Sequence, residues 1–222
     1  MSDLSLLSPP SGKESRRARI VREAHGMIGR DGYEGLSLRK LASAAGVTVP
    51  TIYNLIGSKE QILVELFRAW IAQIEVALDK IEEDQPLDLA ESIITEAIDL
   101  IRQDEVFFRA AHIALDRLVA ADATRTAFDQ FGQRASGMQT TAVRLAQTQG
   151  LLKGNIPAET IARQIYLNYS EASRYWMHGR YTLDDFKNTA ITGVYVCFLS
   201  DASEALEPEL LRRLGKMAPV KL

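Results

Sequence analysis

Apolar residues along the chain recur with helical spacing, and no stretch alternates as a strand would. In 14–30, Ile20, Ala24, Met27 and Ile28 fall at i, i+4, i+7 and i+8, and the pattern stops at Asp31 and Gly32. That spacing predicts one amphipathic helix. Ser37 then stands at an N-cap position ahead of Leu38, Leu41, Ala42 and Ala45, with Gly46 placed to end a short helix in the left-handed region. Two residues on, Thr48 can cap a second short helix over 49–55. Pro50 is tolerated there because first-turn N–H groups have no helical partner.

Ser58-Lys59-Glu60-Gln61 fits a capping box, in which the serine and the glutamine satisfy each other's backbone N–H. Behind it Ile62, Leu63, Leu66, Phe67, Trp70, Ile71 and Ile74 keep helical spacing on to Ile81, which predicts a long helix joining two domains. Glu82, Glu83, Asp84 and Pro86 interrupt it. Further helical patterns cover 87–102, 104–120, 123–149, 157–179 and 182–200, with Pro157 in one first turn and Thr182 paired to Asp185 in the next. The count is about nine helices with short connections, an all-α fold without a long repeat. Residues 1–12, with four serines and two adjacent prolines, read as a flexible tail.

A chain of 222 residues, 46% hydrophobic and 25% charged, can bury a core and is not disordered throughout. Its 26 Lys and Arg against 29 Asp and Glu give −3, which taken globally speaks against nucleic acid. The charge is unevenly divided. Residues 1–60 hold nine basic and six acidic side chains, or +3, and the remainder holds 17 and 23, or −6. A modestly basic head thus precedes an acidic body. Cys197 stands alone, so no intramolecular disulfide forms, and the first residues lack a basic-then-apolar leader pattern. Both observations predict a cytoplasmic protein. The longest uncharged stretch, 41–58, contains Ser43, Gly46, Thr48, Pro50 and Asn54, which a lipid-spanning helix would not carry, so no membrane association is expected.

The two short helices meeting through Ala45-Gly46-Val47 suit a helix-turn-helix, because their close crossing needs small residues and a glycine at the turn. The stretch 19–66 resembles the DNA-binding domain of the tetracycline-repressor (TetR) family. The likeness is carried above all by Gly32-Tyr33-Glu34-Gly35-Leu36-Ser37-Leu38-Arg39-Lys40-Leu41-Ala42, Ala44-Ala45-Gly46-Val47-Thr48 and Ile52-Tyr53-Asn54-Leu55-Ile56-Gly57-Ser58-Lys59-Glu60. It implies a helix-turn-helix domain over 13–57 and an effector-binding and dimerisation domain over 58–222. It also implies a homodimeric regulator, usually a repressor, that grips palindromic double-stranded DNA and answers to a small-molecule effector. Residue by residue, the resemblance sets Thr48, Val49, Pro50 and Thr51 against base edges, and Ser37, Tyr53, Asn54 and Lys59 against phosphates, with Arg39 as an extra contact.

These assignments have physical reasons. Helix N-termini carry free N–H groups and partial positive charge, which favours phosphate near Ser37 and Thr48. Capping alone would also account for both. The recognition helix is uncharged, so Val49 and Pro50 can meet thymine methyl groups while Thr51 supplies one hydrogen bond. Readout this sparse leaves room for DNA shape, or for Arg39 and the tail residues Lys13, Arg16 and Arg17 entering a groove. Equally, Arg39 with Lys40, and the basic run from Arg16 to Arg22, could be solvated faces.

In the C-terminal part, Phe107, Phe108, His112, Phe131, Met138, Asn168, Tyr169, Tyr175 and Trp176 have helical spacing and are candidates for either core or an effector pocket. The stripes Ile161, Ile165, Tyr169, Ala172 and Phe186, Ala190, Val194, Cys197 can pack within one chain or pair across a two-fold axis. Catalysis finds little support. Ser37-Leu38-Arg39-Lys40 lacks the partner motifs of an acylating serine, and His25, His112 and His178 are isolated, with no paired cysteines or phosphate loop. No cofactor or metal is expected. The competing reading is a helical small-molecule-binding or interaction protein whose helix-turn-helix does not read DNA.

Overall fold

The computed structural model describes residues 12–78, 85–120 and 125–217, with the side chains of 120–131 outside the description. Among the described residues ten helices follow one another, and there is no strand beyond an isolated bridge between Leu152 and Ala202. The protein is all-α, as the spacing predicts. No described helix is long and apolar enough to cross a membrane. The predicted tail, save Gly12, and Ile81 lie outside the described residues.

Two compact units are present, the first made of 1–68 and 104–125, the second of 69–103 and 126–222. In the first, α1 (Gly12–Gly35) buries Ile20, Ala24, Met27 and Ile28, the four positions of the predicted stripe, and is broken at Gly32, where φ is 70°. Helices α2 (Leu38–Ala44) and α3 (Val49–Leu55) follow, with Gly46 at φ 60° turning the chain between them. Leu41, Ala45 and Ile52 are fully buried at that crossing. Helix α4 (Lys59–Leu78) starts with the predicted reciprocal cap: Ser58 N–H donates to Gln61 Oε1 at 2.8 Å and Gln61 N–H to Ser58 Oγ at 3.4 Å. Its first half belongs to this unit and its second half to the other. Helix α6 (Glu105–Ala120) packs on α1 and so joins the first unit, although a boundary at Gly57 would leave it outside.

The second unit contains α5 (Pro86–Gln103), α7 (Arg125–Thr148), α8 (Ala158–Met177), α9 (Leu183–Leu199) and α10 (Glu207–Leu214). Helices α8 and α9 form its most extensive contact, and Gly193 on α9 makes that approach possible. A Cβ there would stand 2.9 Å from the Asn168 side chain. The capping box predicted from Thr182 and Asp185 opens α9, each residue's side chain satisfying the other's N–H. Replacing Thr182 with Ala should cost about 1 kcal/mol of stability in urea unfolding.

Candidate functional site

Helix α3 hides one face and shows the other. Ile52 is fully buried, whereas Thr48, Pro50, Tyr53 and Asn54 are exposed and Val49 and Thr51 are half-buried. Thr48 caps the helix, its Oγ1 accepting from Thr51 N–H at 3.3 Å and lying 2.8 Å from Thr51 Oγ1. The two hydroxyls therefore hold each other at the leading turn. Ser37 occupies the N-cap position of α2 in extended backbone, yet its side chain makes no capping bond. Capping, sufficient in principle to explain this serine, does not use its hydroxyl.

The basic residues divide into two groups. Arg17 Nη1 donates to the Leu55 carbonyl at 2.6 Å and pairs with Glu65 at 2.6 Å, while Arg19 Nε donates to the Ala45 carbonyl at 2.6 Å. Both carbonyls belong to helix C-terminal ends, which lack intrahelical donors and carry partial negative charge. These two arginines thus tie α1 to the tails of α3 and α2, with their leading turns left exposed. Lys59 is also held, with Nζ 4.3 Å from the Tyr33 ring centroid and 3.9 Å from the Glu34 carboxylate. Arg39 and Lys40 on α2, with Lys13 and Arg16 at the start of α1, are exposed. Arg16 Nε bonds back to the Gly12 carbonyl at 2.7 Å.

The aromatic candidates are spread over both units. Phe107, Phe108 and His112 lie on α6 and are buried in the first, where the Phe107 and His25 rings are 3.7 Å apart. His112 Nδ1 donates to the Phe108 carbonyl at 2.7 Å, since that oxygen can only accept. Burial pushes the His112 pKa down from 6.5 to about 4, with the Phe108 bond opposing. The folded state therefore keeps His112 neutral while the unfolded chain protonates, and stability is lost as pH falls from 6.5 toward 4. Urea unfolding at pH 5 against pH 7.5 should show a loss of about 2 kcal/mol from this group, absent in His112→Gln.

In the second unit, Trp176 is fully buried against Phe186, and Asn168 Nδ2 lies 3.6 Å from Cys197 Sγ. Phe131 falls where side chains are outside the description. Met138 and Tyr169 do line a cavity of about 50 Å³, partly open to solvent. Its walls begin with Trp70, Ile71 and Ile74 of α4 and continue through Ile93, Ile94 and Ala97 of α5. Helix α7 adds Ala135 and Gln139, and α8 adds Ile165 and Tyr166. The candidates of the sequence thus fall in three places, and two of them reach this cavity.

Gln139 was not among those candidates. Gln139, Ala142, Val143 and Ala146 sit at i, i+3, i+4 and i+7 of α7 and all are buried. A lone amide on an apolar stripe is the signal that marks it. Among the described residues no three His, Cys, Asp or Glu side chains are placed to hold a metal ion.

Residues 20–66, the segment that contains α2, α3 and their packing on α1, match the family described as bacterial regulatory proteins, tetR family. No curated protein matches the chain. Solved structures resemble the fold over most of its length. A TetR-family transcriptional regulator from Marinobacter aquaeolei superposes with a TM-score of 0.64 at 16% identity, covering 91% of this chain and 98% of that one. SmeT, the repressor of the Stenotrophomonas maltophilia multidrug efflux pump SmeDEF, gives 0.62 at 15% identity, covering 86% and 92%. A TetR transcription regulator from Haloarcula marismortui gives 0.67 at 13% identity, covering 86% and 100%. Residues 20–66 thus carry the N-terminal domain of the tetR family of bacterial regulatory proteins, and the fold of the chain as a whole is similar to that of solved tetR-family regulators.

Proposed function

We propose that this regulator binds a palindromic operator as a homodimer, represses from it, and is released when a small molecule enters the second unit. The observation that carries the reading is the exposed leading turn of α3, with Thr48 and Pro50 outward and Tyr53 55% exposed, beside a fully buried Ile52. A helix held by one face and bare on the other is suited to a DNA groove. Base edges would meet Thr48, Val49, Pro50 and Thr51. Phosphates would meet Ser37, Arg39, Tyr53 and Asn54, with Lys59 turning outward from Tyr33 and Lys13 and Arg16 reaching from α1.

Support for a dimer comes from α8 and α9, whose Leu167 and Val196 are 47% and 52% exposed although both are large and apolar. A second copy covering them would remove that surface from water. Leu167→Glu together with Val196→Glu should convert a sedimenting dimer to monomer at micromolar concentration. Release would follow from α4, which lines the cavity with Trp70, Ile71 and Ile74 and also carries Leu63 and Leu66 of the first unit. Displacing α4 would change the separation of two recognition helices that must reach half-sites in register.

Gel shifts and footprints on DNA flanking the protein's own coding region test the reading. The expected result is a salt-sensitive complex with a two-fold symmetric footprint that prefers this DNA over unrelated sequence. A complex without any preference would favour the helical binding protein with a silent helix-turn-helix.

A further inference from the structure

The cavity of the second unit has walls of isoleucine, alanine, methionine and aromatic rings, and among the described residues no charged side chain lines it. Among its lining residues, Gln139 and Tyr169 carry buried polar atoms, Oε1 and Oη, without a hydrogen-bond partner. The Gln139 amide is 2% exposed, and its Nε2 already donates to the Ala90 carbonyl at 3.0 Å. A carbonyl accepts only, so that bond fixes the amide orientation and leaves Oε1 as an acceptor awaiting a donor. The Tyr169 hydroxyl, pushed up in pKa by burial, stays protonated and can donate or accept.

Unmatched buried polar atoms normally destabilise a fold. Both of these atoms belong to side chains that line an otherwise apolar cavity, just beneath its surface, so a ligand entering there is the nearest source of the partner they lack. The described lining argues against an ion, because a carboxylate or ammonium would lose its hydration there with no counter-charge among those residues. Size narrows the class further. By the measure in which one water needs about 10–15 Å³ and a benzene-binding cavity has about 150 Å³, the cavity's 50 Å³ admits nothing larger than a single ring, and that only with part of the ring in its solvent-open mouth.

We propose that the cavity formed by α4, α5, α7 and α8 takes an uncharged, single-ring-sized apolar molecule bearing a hydroxyl or N–H group, which donates to Gln139 Oε1, while Tyr169 Oη bonds a polar atom of the same molecule. This assigns a chemical class to the effector and rests on the ligand-released reading above. Gln139 and Tyr169 then set specificity, because an analogue lacking the donor leaves the amide oxygen buried and unpaired.

Calorimetry on the full chain tests the class with four probes of similar bulk: phenol, toluene, benzoate and benzylammonium. Phenol should bind one per chain, and benzoate and benzylammonium should bind more weakly. In Gln139→Met the ratio of phenol to toluene affinity should fall about tenfold, as expected for one neutral hydrogen bond. Tyr169→Phe, a smaller change in packing, should lower the same ratio several-fold, with circular dichroism melts showing both variants folded. An unchanged ratio in both variants, either ion binding more tightly than phenol, or no phenol binding at millimolar concentration would overturn the proposal. Gel shifts on the flanking DNA with and without phenol form a separate arm. If the calorimetric pattern holds and the DNA complex ignores phenol, the site chemistry stands and ligand release fails. If other compounds dissolve the DNA complex while the calorimetric pattern is absent, release stands and this ligand class fails.

Discussion

Trp176→Ala should lower the unfolding free energy by about 3–5 kcal/mol, read as a shifted urea midpoint with an unchanged slope. The indole is fully buried, lies 5.8 Å from the Phe186 ring at a 25° interplanar angle, and that phenyl is fully buried too. Tyr169 packs on the other neighbour of the cluster, its ring 5.0 Å from Phe186. Truncation leaves a void between α8 and α9, the pair of helices that dominates the second unit, and Gly193 already brings them so close that little collapse is available. Trp176→Phe should recover most of the loss. A cost under about 1 kcal/mol, combined with altered ligand affinity, would return Trp176 to the pocket and remove it from the core.

Signals carried by neighbouring residues were legible in the chain. Thr48, Ser58 and Thr182 start helices where their spacing to Thr51, Gln61 and Asp185 says they should, because a cap is made within one turn. The stripe of α1 and the turn at Gly46 were readable for the same reason. What could not be read depends on partners distant in sequence. Helix α10 has only eight residues, about two turns, so its stripe of Leu210, Leu211 and Leu214 is too short to stand out in the sequence. Arg213 anchors it to Asp88 and Glu91 of α5, more than 120 residues away. Arg17 and Arg19 find backbone carbonyls, a kind of partner with no residue type to search for. Periodicity likewise tells that Phe107, Phe108 and His112 face inward, but not that α6 packs on α1 and so belongs to the first unit.

That division among the arginines predicts two different phenotypes. Arg39 and Lys40 are exposed in the first turn of α2, so replacing both with Ala should leave the melt unchanged. DNA affinity should drop about 100-fold at low salt, and the plot of log affinity against log salt should flatten by up to about 4 in a two-headed complex, near 0.9 for each phosphate released. Arg19→Ala should do the reverse. Losing the guanidinium from the Ala45 carbonyl leaves the end of α2 without its donor and should destabilise the first unit by about 1–3 kcal/mol. Its salt slope, measured where the variant is folded, should match the parent's. A charge counted from sequence alone treats these residues alike, since each adds one to the +3 of residues 1–60. The fold separates them by giving Arg19 a carbonyl to hold and leaving Arg39 in solvent, so the salt slope should follow exposed cations rather than net charge. A slope that flattened in Arg19→Ala and stayed constant in the double variant would place the phosphate contacts on α1 instead of α2.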